Sequence, residues 1–564
     1  MALAATTLAA FGGARGGGLC AAAGVLMAWA LGTSLVAAAI GRLIAPAGRV
    51  VGALASGFAV AAVYFDARLH ALLGIHLYDR GVLALVGDKG ANEVVHVTAG
   101  EAALILAVVA GAAAVAWTVT TVLCRALAAI SRPGRLLAAL VAVAVVAAGA
   151  TLVAGRGALA DVFAGAGGQK PLAIHYPKLP AGAPPKMQKR PNIVVVLVET
   201  LRADMLAPAT MPELSRLIAD QRCDRSLRNW SSSHVTDFSF FALVYGLHAY
   251  HYLPFAQQHV PSWPLQLFRD NGYAVVGAAS SPLAKWGDLD ELTRQFDSFA
   301  AFDGKGPAER DRQLADWAAR WRREHGAERP YFMVLFFDAT HHKYFYPPAF
   351  ERFRPALPEE HNLVTGSVTD PETRLEFVNR YKNAVGYVDH LVAETARAFG
   401  GDDTILVVTG DHGEEFWDNG LLGHTAVSFV DARTEVPLVM CTPAHAARTF
   451  ARSSEVDIMP TLVAATGLDP AVPPAAYSDG APLGSAPADR FLLVSAMGFP
   501  FTNRQLCLIS PTRKYWLEKE RTGDKRFVMT HTTDLDDHDA APVAGELPRG
   551  LDWLERTYRT FFTP

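Results

Sequence analysis

The stretch NIVVVLVETLRAD (192–204) passes from an unbroken apolar run into Glu199, Arg202 and Asp204. YFMVLFFDATHHKY (331–344) and TILVVTGDHGEEF (404–416) repeat that pattern, an apolar run ending on a cluster of ionisable residues. Each run is rich in Val, Ile, Leu or Phe and too short for a typical helix, as a strand buried on both faces of a parallel sheet requires. Open α/β sheets bind ligands at the carboxyl ends of their strands. Glu199, His341, Asp411 and His412 are therefore predicted to converge on one sheet edge, with the chemistry of metal-assisted phosphoryl or sulfuryl transfer.

Around these runs, strand and helix patterns alternate. YAVVGAAS (273–280), VPLVMCTP (436–443) and FLLVSAM (491–497) read as further buried strands. Helices are predicted over 211–221, 308–326 and 377–400, the last placing Val385, Val388, Leu391 and Val392 on one face and stopping at Gly400 and Gly401. Such alternation predicts an α/β fold, a mostly parallel sheet flanked by helices on both faces. Residues 192–564 are long enough for one large unit of this kind with a carboxy-terminal extension.

The amino-terminal part is a different material. Residues 20–41, 50–65, 102–124 and 136–155 contain no Asp, Glu, Lys or Arg. Three of the four are long enough to cross a bilayer, which takes about 20 apolar residues, and the second needs interfacial ends. Core helices of a soluble protein would keep a polar face, which these lack. Residues 1–155 are thus predicted to form a transmembrane helical domain of about four spans. Arg42 and Arg49 follow the first span, and Arg125, Arg132 and Arg135 follow the third, so both short loops read as cytoplasmic. The amino terminus and the large carboxy-terminal domain then face outside, and a fifth, weak span within 1–12 would leave that domain outside too. Residues 156–191, rich in Gly, Pro and Ala with several lysines, read as a mobile or extended linker near the membrane surface.

Several classes are excluded. A formal charge of -4 over 564 residues leaves no basic footprint for nucleic acid. No P-loop or dinucleotide-binding glycine pattern occurs. Of five cysteines, Cys223, Cys441 and Cys507 fall in the outer domain without metal-ligand spacing, which allows at most one disulfide there.

Asp411 and His412, side by side at a strand end, supply two ligands for a divalent ion such as Zn or Mn. Glu199 strengthens that case, because a buried strand seldom ends on a carboxylate without a partner for its charge. NWSSSHVTDFSFFALVYGL (229–247) sets Ser, His and Thr before a strongly apolar run. It reads as the entry to a buried helix whose amino end offers free N–H groups to an anion. Ser233 or Thr236 can equally serve as a plain helix cap there.

Taken together, VETLRAD, SSSHVTDFS, DATHHKYFYPP, GDHGEEFWDNGLLGHT followed by EVPLV, and EVDIMPTL with YSDG resemble the membrane-anchored, sulfatase-like branch of the alkaline phosphatase superfamily. That branch includes lipoteichoic acid synthases, lipid A phosphoethanolamine transferases and inner-membrane proteins that sense lipopolysaccharide or cardiolipin. The resemblance covers nearly all of 192–500. It implies one divalent metal ion, Zn or Mn with Mg as a third choice, held by Glu199, Thr236, Asp411 and His412. It also implies that Thr236 is the nucleophile and that His341 and His424 contact the transferred phosphate or the leaving group. His342 ranks behind its neighbour, since adjacent side chains on an extended segment point oppositely.

Departures from the family pattern sharpen the expectation. The Cys-x-Pro-x-Arg sequence of true sulfatases is absent, Cys223 sitting in QRCDRSL and Cys441 in CTPAH, so arylsulfatase chemistry is not expected. Ligands for a second metal are not apparent. Ser232 and Ser233 compete with Thr236 as nucleophile, and Glu455 stands where many relatives place a histidine. Two functional classes follow. The first is an enzyme in the bacterial inner membrane that moves or hydrolyses a phospho-headgroup of a membrane phospholipid, lipopolysaccharide or glycan on the outer side. The second is a lipid sensor of catalytically weak character, acting through a cytoplasmic or membrane regulatory partner. For the second, the amphipathic segment 64–90 is the favouring feature, and the apparently full ligand set weighs against it.

Overall fold

The computed structural model describes most of residues 173–563, together with 110, 114 and 118. Within 173–563, residues 180–183, 222, 282, 284–288, 360–369, 401–402, 426, 443–446, 470, 499–501 and 520–526 fall outside the description. The four predicted spans and the segment 64–90 fall outside it as well, apart from those three single residues. Among the described residues no helix is long and apolar enough to cross a membrane.

The frame is an eight-stranded sheet. Its strands are β1 (Asn192–Val198), β2 (Asp224–Ser226), β3 (Ala274–Ala279), β4 (Ser298–Ala301), β5 (Tyr331–Phe337), β6 (Thr404–Gly410), β7 (Leu438–Cys441) and β8 (Thr449–Phe450), in the spatial order β8-β2-β7-β6-β1-β5-β3-β4. β6, β1, β5 and β3 run parallel, as their apolar runs predict, and the partly exposed edge strand β4 joins them in the same direction. β7 runs antiparallel to both β6 and β2. Its run is as buried as the others, and burial on two faces carries no information about strand direction.

Helices cover the sheet: α1 (Pro212–Gln221), α2 (Thr236–Tyr245), α3 (Trp263–Asp270), α4 (Pro307–His325), α5 (Pro371–Phe399) and α6 (Ile458–Ala465). α5 begins earlier than its apolar pattern suggests, because Asp370 caps it by accepting from Thr373 N and Pro371 occupies the first turn. α2 is apolar all round and buried from Phe238 to Tyr245, packed on the central strands rather than lying at the surface.

FLLVSAM departs from expectation. Leu492–Gly498 (β9) belongs to a separate antiparallel sheet with β10 (Thr502–Ile509), β11 (Lys514–Lys519) and β12 (Phe527–Thr533). Consecutive strands this close together pair as hairpins, whereas a parallel partner needs a long crossover. One face of this sheet packs on Trp230 and Phe429, the other under α7 (Glu546–Tyr558) through Leu554. Parts of the linker are docked rather than mobile. Ala173–Ile174 pairs with Phe562–Thr563, Met187 N donates to Asn271, and the Tyr176 ring packs edge-on against Phe255 and Phe561. Single apolar anchors in a Gly/Pro-rich stretch leave no periodic signal.

Cys223, just before β2, and Cys441 of β7 form a disulfide, 218 residues apart in sequence, and Cys507 is a buried free thiol. Replacing both bridged residues with serine is expected to lower unfolding stability by about 2–5 kcal/mol, read by denaturant titration under non-reducing conditions.

His248 lies buried beside Asp479, which accepts from His248 N at 2.8 Å and sits 3.2 Å from His251 Nε2. Burial pushes the His248 imidazole down to about 4. Between that value and the unfolded one of about 6.5 the unfolded chain binds more protons, so the contribution is complete above about pH 6.5 and is lost as pH falls. His248→Gln should therefore reduce the loss of stability between pH 7.5 and 4.5 by about 3 kcal/mol, and an unchanged loss would remove His248 as its source.

Candidate metal centre and nucleophile

Register places the site. Val198 is paired with both Phe337 and Gly410, so β1, β5 and β6 end level, and the next residues are Glu199, Asp338 and Asp411. Thr200, at φ 52°, turns the chain sharply after β1. Such a conformation persists only when its surroundings fix it. Here Thr200 N donates to Asp411 Oδ1 at 2.9 Å, Thr200 Oγ1 to Thr340 O at 2.6 Å, and Tyr381 Oη to Thr200 O at 2.7 Å. On the neighbouring strand, Asp311 of α4 accepts from Asp338 N and Ala339 N at 2.9 Å each, fixing the start of the histidine loop.

α2 brings in the hydroxyl. Neither Ser233 nor Thr236 caps it; Val235 holds the N-cap position in an extended conformation, and Thr236 is the first helical residue. Thr236 Oγ1 lies 3.2 and 3.3 Å from the two Glu199 carboxylate oxygens and 3.5 Å from His412 Nε2. The Ser232 hydroxyl is engaged elsewhere: its Oγ accepts from Ala249 N, and Ser232 N donates to Glu455 Oε2 at 2.8 Å. Ser233 forms a backbone bridge to Ser495 of β9, while its Oγ is buried without a hydrogen-bond partner. Glu455 thus holds the backbone of the turn before α2, and burial pushes its carboxyl well above the usual range.

His412 Nε2 is 3.4 Å from Glu199 Oε1 and 3.4 Å from Asp411 Oδ2. Its Nδ1 lies 2.9 Å from the Gly413 carbonyl oxygen. A carbonyl only accepts, so Nδ1 carries the proton and Nε2 turns a lone pair to the site. Burial, with Asp411 opposing, keeps this imidazole below its usual range and hence neutral. Gly413 admits no side chain, since a Cβ there would meet Ala432 O at 2.1 Å.

Donor atoms of Glu199, Asp411 and His412 lie within 4.8 Å of one another. Burial, then Asp411, then Asp338, push the Glu199 carboxyl well above its usual range. Asp411 Oδ2 is buried without a hydrogen-bond partner. Two buried carboxylates, one with an orphan oxygen, beside a neutral imidazole and a hydroxyl are a donor set that fits a divalent cation. Glu199, His341 and His424 converge to the same tolerance, a second potential ligand group that the sequence did not disclose. The His424 ring centroid is 4.5 Å from that of His412 and 5.3 Å from that of His341. Burial pushes His341 down to about 3 and His342 down to about 4.

Glu414, Tyr344 and Asp311 were not singled out by sequence. The only signal was a carboxylate two residues beyond His412, inside a motif already taken up by the ligands.

A parallel sheet whose level strand ends gather carboxylates, imidazoles and the hydroxyl of a buried helix defines the alkaline-phosphatase-like α/β class. Residues 191–468 match the Sulfatase family model. Among solved structures, BT4656 in complex with its substrate D-glucosamine-2-N,6-O-disulfate superposes with a TM-score of 0.51 at 12% identity, covering 66% of this chain and 98% of that one. The lipoteichoic acid synthase LtaP from Listeria monocytogenes (TM-score 0.46, 15% identity, 66% and 92% covered) is also similar. So is the C-terminal periplasmic domain of EptC from Escherichia coli, in complex with Zn (TM-score 0.44, 20% identity, 61% and 97% covered). No curated protein sequence matches the chain.

Proposed function

We propose that this protein is a membrane-anchored, metal-dependent enzyme that moves a phospho-headgroup from a lipid donor through Thr236, at the outer face of the inner membrane. The supporting observation is the placement of Thr236 Oγ1 between Glu199 and His412 at the amino end of a buried helix. A threonine so placed has no structural need to face a carboxylate pair. The absence of a Cys-x-Pro-x-Arg sequence argues against sulfate esters. The Cys223–Cys441 disulfide suits an oxidising compartment, in keeping with an outer location. The uncharged stretches of 20–155 supply the anchor.

Glu199, Thr236, Asp411 and His412 would hold the metal ion, which when bound offsets the two carboxylates and lowers the pKa of the Thr236 hydroxyl. Deprotonated Thr236 Oγ attacks phosphorus, the bond to the donor alcohol breaks, and an imidazolium of the histidine pair protonates the departing oxygen. The now neutral imidazole then takes the proton of the acceptor hydroxyl as that oxygen bonds to phosphorus, and Thr236 Oγ leaves. Water as acceptor makes the enzyme a hydrolase. The free N–H groups at the start of α2 are suited to stabilising the phosphoryl oxygens in both steps.

The test is to incubate the full chain in vesicles of phosphatidylethanolamine and phosphatidylglycerol with Zn or Mn, then weigh the peptide containing Thr236. A headgroup phosphate on Thr236 is expected and its mass identifies the donor. Lipid binding with no adduct from either donor would favour the sensor class instead.

A further inference from the structure

His424 reaches the site at the end of a hairpin. Glu415–Phe416 pairs antiparallel with Leu422–Gly423, and Trp417 N closes the turn between them by donating to Leu421 O at 2.7 Å. The Tyr344 and Tyr381 rings pack on Phe416, with centroids 5.6 and 5.0 Å away. Apolar contact of this kind is non-directional and does not by itself fix how far the hairpin reaches.

One side chain supplies the direction. Arg202, on the turn that follows Glu199, spends all five of its guanidinium N–H donors. Nε and Nη2 donate to Asp204 at 2.9 and 2.8 Å, Nη1 and Nη2 donate to Asp418 at 2.9 and 3.1 Å, and Nη1 donates to the Glu414 carbonyl at 3.0 Å. Asp204 shares the turn with Arg202, so that pair aims the guanidinium. Asp418 sits in the hairpin turn and Glu414 just before its first strand, so their bonds cross from the loop after β1 to the loop after β6. Asp418 Oδ2 also accepts from Phe416 N at 2.8 Å, which ties the hairpin turn to that strand. Glu414 carries the connection onward. Its carboxylate is buried, with Tyr344 Oη donating to Oε1 at 3.0 Å and His424 Nδ1 2.6 Å from Oε2. The Arg202 side chain is only 13% exposed, and charge-assisted bonds there count for more than at an open surface.

We infer that Arg202 is a positioning residue that latches the 415–423 hairpin to the end of β1 and so sets the place of His424 beside His412. The inference rests on the phosphoryl-transfer reading above, in which the histidine pair serves the transferred phosphate and the leaving group. Arg202 itself touches no reacting atom. With the crossing bonds cut, the hairpin keeps its aromatic packing, but His424 loses its fixed distance to the site. A displacement of about 1 Å is enough to cost about 10²-fold in rate.

The experiment measures headgroup turnover by the full chain in vesicles of phosphatidylethanolamine and phosphatidylglycerol with Zn. Arg202→Gln and Asp418→Asn cut the bridge from its two ends, and each is expected to lose about 10–100-fold with metal content unchanged. Asp204→Asn leaves the crossing bonds in place and should stay within about fivefold of wild type. In a His424→Gln background, Arg202→Gln should cost less than about threefold more, since the imidazole it places is already gone, whereas a general loss of structure would add in full. Hydrogen–deuterium exchange across 413–424 should quicken in Arg202→Gln and Asp418→Asn and not in Asp204→Asn. Fully additive losses with His424→Gln, wild-type turnover in Asp418→Asn, or equal losses in Asp204→Asn and Asp418→Asn would overturn the inference. Should the wild type turn over neither donor, the phosphoryl-transfer reading falls, and exchange across 413–424 alone decides whether Arg202 latches the hairpin.

Discussion

Replacing Thr236 with alanine is expected to reduce headgroup turnover by about 10⁴–10⁶-fold, the scale of deleting a catalytic nucleophile. The fold should survive. Thr236 is the first residue of α2 and supplies no cap hydrogen bond, and its neighbours Val235 and Phe238 carry the packing. Removing the hydroxyl takes one hydrogen-bond donor from the buried Glu199 carboxylate, a cost of about 1–3 kcal/mol that the rest of the domain can carry. Turnover of a phosphatidylethanolamine donor, measured beside a thermal unfolding curve, separates the two effects. Thr236→Ser keeps the oxygen and should retain measurable activity. If Thr236→Ala keeps more than about a hundredth of wild-type activity, a loss of less than about 3 kcal/mol in barrier terms, the nucleophile must be sought at Ser232 or Ser233.

Metal binding should collapse in His412→Ala. His412 is wholly buried, its Nδ1 fixed by Gly413 O, and its Nε2 faces Glu199 and Asp411 at 3.4 Å each. Losing a supporting partner of a metal ligand already costs about 10–100-fold in affinity, and losing the ligand itself should cost more. Elemental analysis of the wild type should give about one equivalent, and the variant should give background. Chelation of the wild type should also destabilise it, because Glu199 and Asp411 would then share a water-poor site with no cation between them. At a free metal concentration about 1,000 times the dissociation constant, that linkage is worth about 4 kcal/mol. Affinity should weaken as pH falls, since the raised Glu199 carboxyl takes up a proton that competes with the ion. Unchanged metal content in His412→Ala would dismantle the proposed centre.

The central frame was legible in sequence for one physical reason. β1, β5 and β6 are buried on both faces, so their composition announces them, and the polarity change at their ends marks the edge where Glu199, His341, Asp411 and His412 gather. What escaped was information that composition does not carry. β7 reads like its neighbours although it runs the other way. FLLVSAM is as apolar as a central strand, but its hairpin partner decides its sheet. The turn before α2 offered Ser233 or Thr236 as a cap, whereas neither caps it, and Glu455, Ala249 and Ser495 hold the backbone and hydroxyl of Ser232 and the backbone of Ser233. Asp311 sits among exposed carboxylates of α4 and Glu414 beside other buried ones after β6, and only tertiary structure tells their roles apart.

The level endings of β1, β5 and β6 also bear on when the protein becomes active. Glu199, His341 and Asp411 come from three strands far apart in the chain, and Thr236 from a helix packed against them, so no contiguous fragment contains the assembled site. Non-local pairings of this kind form late, because chain closure must precede the contacts that reward it. A chain still folding is therefore chemically silent until its central sheet is complete, and onset of turnover would serve as a clock for the last step of its folding.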